Sequence, residues 1–323
     1  MTTLRLGTRG SPLALFQARA VAERIRGTGG PPCEIVVIKT SGDRLADASL
    51  SEAGGKRLFV KEIEDALLSN TIDVAVHSSK DMPALLPNGL ALGAVLPRDN
   101  PADALILPAS PDAQPNQLDA LVTRVGSSPR IGTGSVRRIA QLLPWFPGAA
   151  FQPLRGNLET RLRKLDRGEY DLIVLAAAGI RRLGFGHRLS VTLPLSVCVP
   201  APGQGIIAIE VRADDPPVQE AVKRVDDATT AAALDAERAL VIELGGGCQM
   251  PIGAGATVED DRLVLLAIVA SLDGSRVARC RVEGSRFAAV SLGATAAQEL
   301  IAKGGLDILK ESQGAEATVV EKY

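Results

Sequence analysis

The stretch "RLGTRGSPLALFQA" at residues 5–18 decides the fold, because its pattern occurs again in "RIGTGSVRRIAQLL" at residues 130–143. Each copy contains a short apolar strand, a Gly-Thr turn, a serine and a helix. In the first copy Ser11 is a favourable N-cap and Pro12 takes the first helical position that proline prefers. In the second copy Ser135 takes the cap position, and apolar residues follow at helical spacing. The repeat predicts two similar strand–turn–helix units.

A second pair of segments extends the repeat. Residues 66–83 and 164–182 each leave a helix and enter an apolar strand, and an acidic residue, Asp73 or Asp171, precedes each strand. Alternating strands and helices are typical of α/β domains with largely parallel sheets. Ligands of such sheets bind outside the carboxyl ends of the strands, where both repeated helices would begin. We therefore expect one α/β domain near the start of the chain and a similar one near residues 103–200.

The pattern changes after about residue 225, where a third unit is predicted. Residues 229–244 have the composition of a helix, and residues 262–284 read as two strands joined at Asp273-Gly274, a common hairpin turn pair. Residues 288–305 predict a closing helix with glycines at its end. These elements predict a smaller α+β domain, with Cys248 in the loop between its first helix and its hairpin.

Length and composition limit the class of protein. A chain of 323 residues suggests two or three domains, and 46% hydrophobic with 23% charged residues is ordinary for a globular protein. The net charge of −1 argues against bulk binding of polyanions, and the few aromatic residues argue against nucleic acid. No apolar run reaches the length of a membrane span, and the first residues lack a secretory pattern. We therefore expect a cytoplasmic protein without a membrane partner.

The cysteines and histidines are too few and too scattered to suggest a metal site. The four cysteines are widely spaced, without a C-x-x-C motif or a Cys/His cluster, so we expect neither structural zinc nor a disulfide framework. With only two histidines, a carboxylate or a lysine is expected to carry the proton transfer of an enzyme. Cys248 follows three glycines. A lone cysteine is more often a small buried hydrophobic residue than a presented thiol, and both alternatives stay open at this point.

Several cationic residues fall where strands end or helices begin, on the predicted ligand face. Two of them, Arg137 and Arg138, stand in the first turn of their helix, where positive charge opposes the helix dipole unless an anion binds there. Solvated surface arginines are the alternative. Guanidinium groups suit bidentate binding of carboxylate or phosphate, and neither turn matches a P-loop or a G-x-G-x-x-G fingerprint. The expected ligand carries several anionic groups and lies near Arg9, Lys56, Arg137, Arg138, Arg155, Arg161 and Arg182.

The segment "HSSKDMP" at residues 77–83 places an acidic residue inside this field of cations. Asp81 precedes a Met-Pro pair, which delays the next helix and exposes the turn. It can be a turn-forming residue or a partner of Lys80. Alternatively, it is a carboxylate that stabilises a cation formed on the substrate or donates a proton to a leaving group. For His77 we favour a satisfied histidine at the edge of the core.

Seven motifs of this chain, in order, resemble those of the porphobilinogen deaminase family, also called hydroxymethylbilane synthase. They are "GTRGSPLAL", "GGKRLFVKE", "HSSKDMP", "GTGSVRR", "LRGN", "APGQG" and "GGGCQMPIG", and they cover essentially the whole chain. The resemblance implies two periplasmic-binding-protein-like (type II) α/β domains plus a smaller α+β third domain. The implied boundaries are residues 1–99 with 206–223 for the first domain, 103–200 for the second and 227–323 for the third.

The resemblance also implies a reaction. Members of the family condense four molecules of porphobilinogen head to tail, release ammonia and yield the linear tetrapyrrole hydroxymethylbilane of haem biosynthesis. The product would grow on a dipyrromethane cofactor bound by a thioether to a loop cysteine, which Cys248 matches. Loss of ammonia leaves an azafulvenium cation that one carboxylate can stabilise, and Asp81 matches the catalytic aspartate. Each pyrrole carries an acetate and a propionate, in keeping with a cleft rich in arginine. The family further implies a monomer.

The binding residues of the family match named positions of this chain. Two departures are Ser79, where many members have methionine, and Arg57, where glycine is common. The alternatives are a two-lobed anion-binding protein without catalysis, which would not explain the third domain, and a ligand-gated regulator, for which there is no helix-turn-helix segment. No metal is expected. Cofactor contacts are expected from Cys248, Lys80, Asp81, Thr133, Ser135, Arg137, Arg138, Arg155 and Gly156, and substrate contacts from Arg9, Ser11, Lys56, Arg155, Arg161, Arg182 and Gln204.

Overall fold

The strands in the described part of the chain form three sheets. A computed structural model describes residues 3–41, 60–110, 114–245 and 251–319, with side chains up to residue 312. Within these ranges the strands are β1 (Leu4–Thr8), β2 (Cys33–Val37), β3 (Val74–Ser78), β4 (Leu90–Val95), β5 (Asp103–Ile106), β6 (Arg130–Gly132), β7 (Ala150–Gln152), β8 (Leu172–Ala176), β9 (Val191–Thr192), β10 (Ile207–Arg212), β11 (Ile252–Glu259), β12 (Arg262–Ala270) and β13 (Val277–Ser285).

The helices cover the faces of these sheets. In the described part of the chain, none is long and apolar enough to cross a membrane. They are α1 (Pro12–Gly27), α2 (Lys61–Leu68), α3 (Leu118–Val125), α4 (Val136–Leu142), α5 (Leu158–Asp166), α6 (Ala177–Arg182), α7 (Pro216–Lys223), α8 (Ala228–Glu243), α9 (Ala289–Ala302) and α10 (Gly305–Val319).

The two larger sheets have the same construction. In the first, the strand order is β2-β1-β3-β10-β4, with β1 parallel to β2 and β3, and with β10 antiparallel to both of its neighbours. In the second, the order is β7-β6-β8-β5-β9, with β6 parallel to β7 and β8, and with β5 antiparallel to both neighbours. Each sheet has a parallel half and an antiparallel half. The predicted pair of similar α/β units is confirmed, but the expectation of largely parallel sheets is wrong, because β10 and β5 enter the sheets antiparallel to both neighbours.

The same ion pair joins the strands of each repeat. Arg5 of β1 donates its backbone N–H and its guanidinium to Asp73, with an Nη2–Oδ1 distance of 2.7 Å. Arg130 of β6 donates to Asp171 in the same way, also with an Nη2–Oδ1 distance of 2.7 Å. Each aspartate donates its own N–H to the carbonyl of its arginine. The acidic residue before β3 therefore aligns that strand with β1, and its counterpart aligns β8 with β6.

The helices that follow β1 and β6 begin differently. Ser11 caps α1 as predicted, because its Oγ accepts the N–H of Ala14 at 3.3 Å and a proline occupies the first turn. Ser135 occupies the N-cap of α4, but its hydroxyl makes no capping hydrogen bond. Its own N–H donates to Thr133 Oγ1 at 3.2 Å. The second copy keeps the cap residue and lacks the capping bond.

The chain passes between the two larger sheets twice, through a first connection (residues 96–102) and a second connection (residues 193–206). They touch where the N–H of Asp99 donates to the carbonyl of Gly205 at 3.1 Å. Gly205 has a φ of +88°, and a Cβ there would lie 2.4 Å from the Asp99 carbonyl oxygen. Gly203, two residues earlier, has a φ of +73°. Only glycine fits these positions without strain, which explains the "GQG" of the sequence. The predicted domain boundaries stay predictions.

The third domain contains the antiparallel sheet β11-β12-β13 with α8, α9 and α10 packed against it. The predicted hairpin of β12 and β13 is present, but a longer loop, residues 271–276, joins the strands, and the Asp-Gly pair is only its middle. The sequence pattern missed β11, because its small residues pack closely on the second connection: a Cβ at Gly253 would lie 2.9 Å from the Val199 carbonyl oxygen. It also missed α10, which follows the glycines that read as the end of α9.

A buried ion pair fixes the third domain to the two connections. Arg98, in the first connection, bonds to Glu237 of α8 with an Nη1–Oε1 distance of 2.6 Å, and Glu237 is fully buried. The same carboxylate accepts the N–H of Gly203 at 2.6 Å and the N–H of Ala256 at 2.7 Å. Arg98 also donates to the backbone carbonyls of Gln204 and Ala256. The charge of Glu237 is tolerated in the interior because both of its oxygens accept hydrogen bonds.

We expect Glu237→Ala to lower the free energy of unfolding by about 3–5 kcal/mol, because the Arg98 guanidinium and two backbone N–H groups would stay buried without their acceptor. Glu283→Ala, in a half-exposed pair with Arg262 and Arg281, should lower the free energy of unfolding much less, because solvent screens an exposed ion pair. Urea unfolding followed by circular dichroism measures both. Equal losses in the two variants would contradict the role of Glu237 as the anchor of the third domain.

Candidate active site

Asp81 lies past the carboxyl end of β3, in a pocket beside the start of α1. The strand ends in a 3₁₀ turn at residues 79–81, followed by the Met-Pro pair that cannot continue the helix. The half-buried Asp81 lines the pocket together with Arg9, Ser11 and Gln17. A strand end and a helix start therefore meet here, as the predicted ligand face requires. The sequence pattern did not single out Gln17, which reads as an ordinary helical position.

His77 is the satisfied histidine that the sequence favours. Its Nε2 lies 3.1 Å from Oε2 of Glu210 on the adjacent strand β10, and both side chains are buried. The two strands are antiparallel, with His77 opposite Ala208, so that Glu210 lies two residues further along the same face. The His77 ring also forms part of the wall of the Asp81 pocket. The contact with Glu210 therefore gives the buried His77 ring a structural role and provides a partner for its Nε2.

Arg137 and Arg138 are buried against a carboxylate of the chain itself. Arg137 Nη1 lies 2.8 Å from Asp103 Oδ2, and Arg138 Nη2 lies 2.7 Å from Asp103 Oδ1. Further donors of the two guanidinium groups bond to the backbone carbonyls of Val199 at 2.6 Å and Val174 at 3.0 Å. The alternative of solvated surface arginines is wrong. The sequence analysis expected a bound anion near these two arginines, and the Asp103 carboxylate supplies part of that negative charge.

Asp103 is the residue of this cluster that the sequence analysis missed. It opens β5 and is fully buried. Burial alone would raise its pKa, but the charges and hydrogen bonds of Arg137 and Arg138 hold the pKa well below its ordinary value, so the carboxylate stays ionised. A signal was present in the sequence: an acidic residue at the head of an apolar strand buried on both faces needs a cationic partner.

Lys80 and Gln204 connect this carboxylate to the first domain. Gln204 Nε2 donates to Asp103 Oδ1 at 2.9 Å and to a backbone carbonyl at 2.7 Å, while its Oε1 accepts from Lys80 Nζ at 3.4 Å. Gln204 is fully buried and both ends of its amide are bonded, so it bridges the two domains, while its expected contact with the substrate stays a prediction. Burial lowers the pKa of Lys80 to about 8; the charge of Asp81 opposes this shift, and that of Arg138 adds to it.

Arg161 belongs to the same group of charges. Burial lowers the pKa of its guanidinium, Arg138 lowers it further, and Asp81 opposes the shift. Arg161 Nε donates to the Gly156 carbonyl at 2.7 Å. Gly156 has a φ of +106°, and a Cβ there would lie 2.8 Å from Thr160 Cγ2, so glycine is required for this turn.

Arg182 is held by the connections between the domains. Its Nη2 donates to the Gly205 carbonyl at 2.6 Å, and its Nε lies 3.5 Å from Asp99 Oδ2. The side chain is 8% exposed. The side chain therefore joins α6 of the second domain to the point where the two connections touch, while its expected contact with the substrate stays a prediction.

The remaining predicted positions lie at strand ends. Thr133 follows β6, is buried and bonds the Ser135 N–H, while the half-buried Arg155 follows β7. Ser79 is buried, and its Oγ has no hydrogen-bond partner within the described residues. Three sequence-predicted positions lie outside the described residues: Cys248, Lys56 and Arg57.

The cysteines inside the described part of the chain are free thiols. Burial raises the pKa of Cys198 to about 12 and that of Cys280 to about 11. Burial also raises the pKa of the half-buried Cys33. A thiol with a raised pKa is a poor nucleophile, because the thiolate is the reactive form.

The cluster carries more positive than negative charge. Four cations and two carboxylates act on one another across both α/β domains, which leaves a surplus of two positive charges among these six groups. Uncompensated charge in a low-dielectric site is costly, so the cluster favours a ligand with several carboxylates. In the part of the chain that the structure describes, no group of acidic, histidine and cysteine residues is suited to a metal ion. The six groups are Lys80, Asp81, Asp103, Arg137, Arg138 and Arg161.

Comparison with known families agrees with this chemistry. Residues 4–220 match the family model described as "Porphobilinogen deaminase, dipyromethane cofactor binding domain", and residues 231–302 match "Porphobilinogen deaminase, C-terminal domain". The chain belongs to the porphobilinogen deaminase family. It is 46% identical to the porphobilinogen deaminase of Desulforamulus reducens over 314 residues, 97% of this chain and 99% of that protein. It is 45% identical to that of Moorella thermoacetica over 312 residues, 96% of this chain and 97% of that protein.

Membership of the porphobilinogen deaminase family confirms the dipyrromethane cofactor, and the two α/β sheets with the smaller third domain confirm the predicted fold class. Two pyrroles with an acetate and a propionate each bring four carboxylates, and the surplus of positive charge in the cluster fits such a group. Among solved structures, the substrate binding domain 2 of Lactococcus lactis GlnP is similar over 70% of this chain and 88% of that chain, at 12% identity and a TM-score of 0.42.

We expect Lys80 to lose its proton near pH 8, because burial disfavours the ammonium form. The measurement uses the Cys248→Ala protein, which is expected to lack the cofactor and its carboxylates. Its contribution to the free energy of unfolding should then increase as pH rises above about 8, since the unfolded chain binds this proton more tightly. A ¹³C NMR titration of the lysine Cε signals measures the midpoint, and Lys80→Arg identifies the signal. A midpoint at the ordinary value for lysine would contradict the burial of this ammonium group.

Proposed function

We propose that this chain is a hydroxymethylbilane synthase whose reaction takes place around Asp81. Family membership makes it a transferase that acts on porphobilinogen with a dipyrromethane cofactor. Four porphobilinogen molecules are joined head to tail with loss of ammonia, and water releases the linear tetrapyrrole. The observation that supports this placement is the surplus of positive charge beside one carboxylate that lines a pocket.

Asp81 is assigned the proton transfer and the stabilisation of the cation. Ammonia leaves the aminomethyl group of porphobilinogen only when its nitrogen is protonated, and the remaining azafulvenium carries a positive charge. A carboxylate at the pocket wall can assist both events. Lys80 and Arg161 can neutralise the acetate and propionate groups, but as cations they cannot stabilise another cation. The catalytic role therefore falls to Asp81.

Carboxylates of the ligand are bound by guanidinium groups from both domains. Arg9 lies in the Asp81 pocket of the first domain, and Arg155 and Arg161 come from the second. Among its contacts within the described residues, Arg137 uses only Nη1, so its Nη2 and Nε can bind a ligand carboxylate. Arg138 uses all three of its nitrogens but keeps further N–H groups on Nη1 and Nη2.

Cys248 is proposed as the attachment point of the cofactor through a thioether. The buried Cys198 and Cys280 are unsuited to this role because their pKa values are raised. When bound, the cofactor supplies the pyrrole carbon on which the product grows. Lys56 is proposed to contact the substrate. The residues proposed to hold the cofactor are Lys80, Asp81, Thr133, Ser135, Arg137, Arg138, Arg155 and Gly156.

Two further proposals, a cytoplasmic location and a monomeric state, rest on the resemblance to the family alone. The competing function, a two-lobed protein that binds an anion without catalysis, shares the cleft and the cationic cluster. It does not require a covalent pyrrole or a carboxylate in the pocket. The mass of the protein and the effect of changing Asp81 therefore separate the two functions.

We expect the intact mass of the purified protein to exceed the sequence mass by two condensed pyrrole units. Cys248→Ala should have the bare sequence mass of that variant, because its tether is gone. Cys33→Ala is the matched control and should keep the added mass. Electrospray mass spectrometry measures all three proteins. A wild-type protein at its bare sequence mass, even after incubation with porphobilinogen, would disprove the proposed function.

We expect Asp81→Asn to keep the cofactor but to lose about 10²–10⁴-fold in kcat, the range typical for removal of a general acid. Asparagine has nearly the same shape but carries no charge and accepts no proton. Consumption of porphobilinogen under saturating conditions measures kcat, and the intact mass shows that the cofactor is present. A turnover close to wild type would remove Asp81 from the mechanism.

A further inference from the structure

The Asp103 carboxylate binds donors from separate parts of the chain. Its Oδ1 accepts from Arg138 Nε at 3.0 Å, from Arg138 Nη2 at 2.7 Å and from Gln204 Nε2 at 2.9 Å. Its Oδ2 accepts from Arg137 Nη1 at 2.8 Å and lies 3.4 Å from the Cys198 sulfur. The arginines belong to α4, and the other two residues belong to the second connection. One carboxylate therefore sets the position of this helix relative to the connection between the domains.

The charge of Asp103 is required because its partners are buried. The side chains of Arg137 and Arg138 are 6% and 11% exposed, and that of Asp103 is 0% exposed. A buried guanidinium that loses its carboxylate is an uncompensated charge. The geometry is as constrained as the charge, because a planar guanidinium binds a carboxylate in fixed directions. Asp103 therefore decides which N–H groups of the two arginines stay available to a ligand.

The same network reaches the turn that carries the catalytic aspartate. Gln204 donates to Asp103 with its amide nitrogen, and its amide oxygen accepts from Lys80 Nζ at 3.4 Å. Lys80 directly precedes Asp81 in that turn. A displacement of the Asp103 carboxylate would thus move cationic groups of both α/β domains.

We propose that Asp103 is a positioning residue for the reaction of this cleft. It holds Arg137 and Arg138 directly, in the orientation in which they bind the carboxylates of the cofactor and of the growing product. It orients Lys80 through Gln204. Asp103 itself does not touch the reacting atoms. This inference rests on the proposed function.

Two substitutions of Asp103 separate positioning from simple stability. Asp103→Asn removes the charge, and Asp103→Glu keeps the charge but displaces it by one methylene group. Asp171→Asn is the matched control, because Asp171 stands before a strand of the same sheet and pairs with Arg130 at a half-exposed site. Thermal unfolding shows whether each variant is folded, intact mass gives the fraction of molecules that carry the cofactor, and steady-state kinetics gives kcat and KM for porphobilinogen.

We expect the folded Asp103→Asn protein to carry the cofactor in about one molecule in ten or fewer. Asp103→Glu should carry it in most molecules but with KM raised about tenfold or more, because a misplacement of about 1 Å in a binding group is that costly. Asp171→Asn should keep wild-type occupancy and KM. A purely structural role would lower the melting temperature of the Asp103 variants without changing occupancy or KM.

Wild-type occupancy and KM in either folded Asp103 variant would overturn the proposal, whatever its melting temperature. If Asp103→Asn does not fold, the occupancy and KM of Asp103→Glu decide by the same criterion. Failure of the proposed function is distinguishable, because the wild-type protein itself would then carry no added mass, and this inference would fall with it.

Discussion

The hydrogen bond from Asp99 to the carbonyl of Gly205 holds the two connections side by side, and the links among the domains begin within a few residues of it. Arg98 extends from this point to Glu237 of the third domain, and Arg182 reaches the same carbonyl from the second. Gln204 extends from it to the buried Asp103 carboxylate. Only glycine fits at position 205. The contact between the two connections therefore depends on the absence of a side chain there as much as on the charged residues around it.

The cluster next to this junction follows from the cost of burying charge. A protein that must bind a ligand with many carboxylates needs cations, and cations repel one another when they are close together in a low-dielectric site. Asp103 offsets part of that repulsion and leaves a surplus of positive charge for the ligand. The lowered pKa of Lys80 shows the remaining cost, since its ammonium is the easiest of these cations to discharge. The repulsion among the cations and the affinity of the cluster for a ligand with carboxylates thus have the same origin.

The sequence was most informative where a short pattern carries the signal. The Ser11 cap and the acidic residues before β3 and β8 follow from short patterns, and the structure contains them. The predicted Gly-Thr turn of the first copy is wrong, because Gly7 and Thr8 are the last two residues of strand β1. The family motifs also placed the cations of the cluster. The buried carboxylates that pair with arginines of the interior, Asp103 with Arg137 and Arg138 and Glu237 with Arg98, belong to no such pattern, because only the packing of the folded chain brings each pair together. Strand β11 was missed for a similar reason. Its Gly253 packs against Val199 of the second connection, and this contact cannot be seen in the sequence around the strand.

Strand β10 has a consequence for how the chain folds. It lies between β3 and β4 in the first sheet, and Ala208 pairs with Val95 although the whole second α/β unit separates them in sequence. During synthesis the first sheet therefore exposes two unpaired strand edges until the second unit has been made. Such long-range pairing slows folding, because the entropy of closing a large loop is lost before the contacts form. Exposed strand edges also invite association with other chains. If the second α/β unit folds early, it brings residues 207–212 close to the gap between β3 and β4, and the two strand edges are exposed for a shorter time.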